Sequence, residues 1–146
     1  MNTLLNEFNS LIQTVPKITL ALNNTENKPA PTKWSKKEIL GHLCDSATMN
    51  HKRFIDRLSS NEELTLELYK QNSWVEINDY QNRYTIEEII TLWTSLNNRF
   101  MNVLLNLTDD KWNLQYTIEE DKKVTLSWLF TDYIDHMKHH LNQLLS

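Results

Sequence analysis

The sequence predicts an all-α protein, a four-helix bundle of up-down-down-up connectivity. Glycine occurs once and proline three times among 146 residues, too few for the tight turns of a sheet-rich fold. Four stretches repeat apolar residues with the period of a helix, and long connections separate the last three of them. The length fits one domain, residues 1–146, with a core large enough to need no staples.

The first helix is expected from about Leu4 to Leu22, where Leu4, Phe8, Leu11, Val15, Ile18 and Leu22 fall on one face. Pro16 lies inside and is expected to kink or divide it, because proline has no N–H and crowds the preceding turn. Asn23–Lys33 is polar, holds Pro29 and Pro31, and reads as a loop. The second helix opens at Ser35, which with Glu38 makes a capping box, and runs to about Leu58. Ile39, Leu43, Ala47 and Phe54 form its apolar face. Gly41 inside it costs about 1 kcal/mol relative to alanine, which close approach of a neighbouring helix or a ligand would justify.

Ser59–Tyr84 is a long connection, with a short helical turn expected around Glu62–Tyr69. The third helix starts at Thr85, with Glu88 three residues on, and turns Ile86, Ile89, Trp93, Leu96, Phe100, Val103 and Leu107 to one side. Thr108–Val124 is a second connection, whose alternation around Leu114, Tyr116 and Ile118 predicts a short extended hairpin. The fourth helix runs from about Leu126 nearly to the end, on a face of Leu126, Leu129, Phe130, Tyr133, Met137, Leu141 and Leu144. Trp34, Trp93, Trp112 and Trp128 read as core or helix-entry packing, and Arg53 as an ion-pair partner for Asp45 or Asp56.

The formal net charge is −4 and no basic stripe emerges, which argues against nucleic acid as a partner. Lys33, Lys36 and Lys37 cluster at a helix start and read as solvated charge. A single cysteine, Cys44, excludes an internal disulfide. No leader-like start and no apolar run of membrane-spanning length occur, so a cytoplasmic chain without membrane contact is expected.

The five histidines carry the chemistry: His42, His51, His136, His139 and His140. His136 and His140 stand four apart, about 40° around a helix and one turn apart along it, so two imidazoles can reach one metal ion. His139 turns about 100° away from His140, toward solvent. A catalytic metal usually takes three protein ligands, so the third must come from another helix. His42 flanks the apolar face of the second helix, whereas His51 lies beyond the opposite flank. Cys44 is about 160° from His42 and cannot easily serve the same ion. His42 sits roughly 10 Å from its helix start, and His136 and His140 roughly 16 to 22 Å from theirs. The three meet at one level only if the second and fourth helices are antiparallel. The long Ser59–Tyr84 connection can cross the bundle and allow that arrangement. A glutamate does not follow His136, so the H-E-x-x-H pattern of metalloproteases is absent.

At these residues the sequence resembles the DinB-like superfamily, in particular its branch of metal-dependent hydrolases that includes bacillithiol S-transferases. The resemblance rests on Trp34-Ser35-x-x-Glu38-Ile39-Leu40-Gly41-His42-Leu43-x-Asp45-Ser46, on Arg53-Phe54, on Tyr69-Lys70-Gln71-Asn72-Ser73-Trp74, and on His136-Met137-Lys138-His139-His140-Leu141. The short polar stretch before Trp34 departs from the family's usual richer loop. The resemblance implies an up-down-down-up bundle with one divalent transition metal, zinc or nickel, on His42, His136 and His140. It also implies a low-molecular-weight thiol as cosubstrate, a small-molecule substrate and a homodimer.

Three neutral imidazoles would leave the full charge on the ion, which lowers the pKa of a bound thiol or water. Three readings follow: transfer of a thiol to a small electrophile, hydrolysis, and a non-catalytic metal-binding or interaction module. No carboxylate is placed as a general base, which favours thiol transfer over hydrolysis. Ser46 and Asn50, one and two turns beyond His42, read as substrate-binding residues or as plain helix positions. Tyr69 and Trp74 read as a lid from the long connection or as packing at the bundle edge.

Overall fold

Both predicted capping boxes start helices in the computed structural model, which describes residues 1–146. Ser35 caps α2 (Lys36–Leu58) and Thr85 caps α5 (Ile86–Leu104), each in a reciprocal exchange with the glutamate three residues on. With α1 (Asn2–Leu20) and α7 (Leu126–Leu145) these are the four long helices. Between α2 and α5 lie β1 (Leu64–Thr65), α3 (Gln71–Asn78) and α4 (Tyr80–Arg83). Between α5 and α7 lie α6 (Asp109–Trp112), β2 (Gln115–Thr117) and β3 (Lys123–Thr125).

The connectivity is up-down-down-up. The Lys37 N–H donates to the Thr25 carbonyl (2.9 Å), so the exit of α1 lies at the start of α2. Cys44 touches Ile89 near the start of α5, and Phe54 meets Phe100 near its end, so α2 and α5 run parallel. His42, early in α2, meets His136 and His140, late in α7, so those two helices are antiparallel. The antiparallel pairing required by the three histidines is the one the chain adopts.

Helix α1 is continuous through Pro16. Its buried stripe is Phe8, Ile12, Val15 and Thr19, rotated from the predicted face, and Ile18 is exposed. Packing on both sides of Pro16 outweighs the single backbone bond that proline removes. The α7 face matches the prediction, with every named apolar residue buried and Ile134 added. Phe8, Phe54, Phe100, Phe130 and Tyr133 meet edge to face in the centre of the bundle.

The connections differ more. No helical turn forms at Glu62–Tyr69; β1 instead pairs in parallel with β2, through Leu64 opposite Tyr116. That partner lies some fifty residues away, so local periodicity carries no trace of it. The predicted hairpin forms as β2 and β3, antiparallel with Tyr116 opposite Val124. Lys37 is not solvated: it is buried, ion-paired with Glu26 (2.9 Å) and bonded to the Gln81 carbonyl (3.1 Å). No helix is long and apolar enough to cross a membrane.

Candidate metal centre

Helix α2 is enclosed by α3, α4, α5 and α7, so residues from Leu40 to Ala47 are buried on every side. His42 is therefore completely buried, although it lies off the apolar stripe. Its Nε2 lies 3.3 Å from His136 Nε2, which lies 3.0 Å from His140 Nε2. All three ligand atoms fall within 4.8 Å of one another. Imidazole nitrogens about 2.0–2.1 Å from a tetrahedral ion stand about 3.3 Å apart, so the His42–His136 and His136–His140 pairs have the spacing of a metal centre.

The donor set fits as well. The His140 Nδ1–H donates to Gln143 Oε1 (2.8 Å), which leaves a lone pair on Nε2, facing the cluster. Burial first, then the nearby His140 and His136, lowers His42 to about 3. Burial first, then His140 and His139, lowers His136 to about 4. His140 is lowered chiefly by burial. All three are therefore neutral at physiological pH, the form that binds a metal. His42 Nδ1 is buried without a hydrogen-bond partner; the Trp34 ring lies against the imidazole instead, 4.8 Å between centroids.

His51 and His139 stay outside the cluster, as their angular positions predict. His51 packs edge-on to Phe100, and His139 is exposed. Cys44 turns to the Ile89 carbonyl, and burial raises its thiol well above the ordinary range.

Two cavities reach the histidines. One of about 700 Å³ opens beside His140 and has mostly polar residues in its wall, among them Asn23, Asn27, Lys33 and Asn72, together with Trp34. The other, of about 360 Å³, runs from His136 down the groove between α2 and α7. Ser46, Asn50 and Tyr69 line this second cavity, together with Arg53, Leu129, Asp132 and Tyr133. Trp74 does not line it. It packs edge-on against Tyr69 (5.9 Å between centroids) and holds that ring from behind, because α3 carries it away from the groove.

Several residues act otherwise than their sequence positions suggest. Trp34 is not only helix-entry packing; it covers His42 and borders the polar cavity. The signal was its place just before the Ser35 cap, with Ile39 five residues on, the staple pair that fixes how the chain enters a helix. Trp128 is not core: it is half-exposed at the mouth of the second cavity. Arg53 pairs with neither Asp45 nor Asp56. Asp56 is bound by Lys52 (2.6 Å), and Asp45 accepts from the Tyr80 hydroxyl (2.6 Å) on the other side of α2. Burial raises the Asp45 carboxyl to about 6, against the hydrogen bond from Tyr80. Gly41 admits that tyrosine: a Cβ at this position would lie 2.1 Å from a Tyr80 ring carbon.

The profile of the DinB superfamily matches residues 18–144, and so takes in all three histidines. Among solved structures, one from Bacillus subtilis superposes with a TM-score of 0.81 at 20% identity, over 97% of this chain and 83% of that one. That protein, YfiT, is described as a probable metal-dependent hydrolase with an unusual four-helix bundle topology. A second B. subtilis structure, the DinB-like protein YjoA, superposes with a TM-score of 0.67 at 17% identity, over 98% of this chain and 87% of that one. No curated protein matches significantly. At these identities the two structures establish the shared fold, and the profile match establishes descent: the chain belongs to the DinB superfamily.

Proposed function

We propose that the chain is a metal-dependent enzyme that transfers a low-molecular-weight thiol to a small electrophile, with zinc or nickel held by His42, His136 and His140. One observation carries this reading: three neutral imidazoles converge between two cavities, one reaching His140 and the other His136. Two separate rooms at one centre suit two reactants.

A bound divalent ion supplies Lewis acidity, which lowers the pKa of a coordinated thiol or water. The chain's residues do the rest. Uncharged imidazoles leave the ion's charge undiminished. Gln143 fixes the tautomer and orientation of His140, and Trp34 shields His42 from water. As the carbon–sulfur bond forms, the electrophile's leaving group departs with its electron pair and the thiol proton passes to solvent. No carboxylate belongs to the cluster, so no side chain stands ready there to activate water. Asp132, which lines the cavity one turn before His136, gives hydrolysis its specific support as the second reading.

The test is metal analysis of untagged protein purified without chelator, followed by turnover assays. About one transition metal per chain is expected, lost in His42→Ala. Consumption of a chlorinated aromatic dye should require both metal and a small thiol. Metal retained by His42→Ala would sink the three-histidine site. Ester or amide cleavage by water alone would replace transfer with hydrolysis, and inactivity in both assays would leave a binding module.

A further inference from the structure

Along α2, positions 42, 46, 50 and 53 form one stripe, so the face that presents His42 continues through Ser46 and Asn50 to Arg53. Arg53 lies eleven residues from His42, a rise of about 16 Å. Its side chain lines the cavity that His136 closes at the other end.

The guanidinium is under-used. It has five N–H donors, yet only one bond is made, to the Glu67 carbonyl (2.9 Å). Its Nε is fully buried and has no partner. No carboxylate forms an ion pair with it. Arg57, one turn further, is different: it is tied to the Gln115 carbonyl (2.7 Å) and the Ser60 carbonyl (3.3 Å) and serves the fold. A half-buried cation with free donors, at the end of a cavity leading to the proposed reaction centre, is an anion-binding group.

The mouth of the same cavity exposes two large apolar side chains, Leu68 (87% exposed) and Trp128 (46%). Two carboxylates also line it, Asp132 and Glu119, and both belong to exposed residues. Burial and Asp135 hold the Asp132 carboxyl above its ordinary range, although Arg53 favours its ionised form, and no ion pair forms between Arg53 and Asp132. Arg53 is less screened and has donors to offer.

We infer that this cavity takes a small amphipathic acid, its carboxylate on Arg53, its apolar body against Leu68 and Trp128, and its reacting group toward His136. The inference rests on the proposed function only for which end reacts; the binding of an acid stands by itself.

The test separates the two. A carboxylate could also ligate a metal, so binding is measured by calorimetry on the intact chain freed of metal with chelator. The probes are 4-phenylbutyrate, its amide, and 4-phenylbutylamine. The acid should bind about tenfold or more tightly than the amide, and the amine should bind most weakly. Arg53→Gln should abolish the preference for acid over amide, the acid losing more affinity than the amide. Arg53→Lys should keep a reduced preference, a result that loss of packing cannot imitate. Equal binding of acid and amide, or tightest binding of the amine through Asp132, would overturn the inference. So would an acid preference that survives in Arg53→Gln. None of these outcomes depends on metal content or turnover, so the proposed function can fail while this inference holds, and the reverse.

Discussion

Gly41→Ala should destabilise the protein, although alanine is the better helix former. Position 41 lies inside α2, where the exchange alone would stabilise by about 1 kcal/mol. The added Cβ, however, would sit 2.1, 2.3 and 2.7 Å from three carbons of the Tyr80 ring, where ordinary contact begins at 3.4 Å. Tyr80 is 3% exposed, so the ring has no open side to swing into. Its retreat also stretches the 2.6 Å hydrogen bond to Asp45, whose other carboxyl oxygen is already without a partner. Overpacking costs about 1–3 kcal/mol, and a bond to a charged group about 1.5–3 kcal/mol. With the helix gain subtracted, Gly41→Ala should lose about 1.5–5 kcal/mol, read as a lower urea midpoint with unchanged slope by circular dichroism. Removing the ring tests the cause. In a Tyr80→Ala background the same exchange should stabilise by up to about 1 kcal/mol, a reversal of sign. A neutral or stabilising Gly41→Ala in the wild-type chain would refute this account, as would an equal loss in both backgrounds.

Asp45→Asn should raise stability above pH 6 by about 1–3 kcal/mol. The folded carboxyl titrates near 6, above its ordinary 3.8, so the folded chain binds the extra proton between those values. Its contribution therefore falls as pH rises through that window, and the stability difference between wild type and Asp45→Asn, measured in urea at pH 4.5 and 7.5, should widen with pH. A less stable variant at pH 7.5 would contradict this. The histidines act oppositely. Lowered pKa values make the unfolded chain the better proton acceptor below 6.5, so their contribution is present at neutral pH and lost as pH falls toward 3 to 4. Zinc affinity in a competition assay should accordingly fall less on acidification than for unperturbed imidazoles, which would lose up to about tenfold per ligand per unit below 6.5. Tyr133→Phe leaves Asn97 Oδ1 without its donor in a fully buried site and should cost about 1–3 kcal/mol, seen as a lower Tm. An unchanged Tm would show that water reaches that carbonyl.

The legible part of this protein is the part set by local geometry. Capping boxes at Ser35 and Thr85, the apolar face of α7 and the hairpin at Tyr116 each depend on neighbours within a few residues. The histidine triad was readable for the same reason: helix angles separate His140 from His139 and His42 from Cys44 before any fold is known. The connectivity followed because only an antiparallel α2 and α7 could bring that triad to one level.

What only the tertiary structure decided is what faces the other sides of α2. Enclosure by four elements buries Lys37 and Asp45 and sets Tyr80 on Gly41. It also leaves Arg53 beside a cavity instead of a carboxylate. Strand β1 likewise exists only because β2 lies beside it. Periodicity reports which face of a helix is apolar, and from Leu40 to Ala47 α2 has no face left for water. There the identity of each neighbour, supplied by residues thirty to ninety positions away, sets burial, charge and the room left for a ligand.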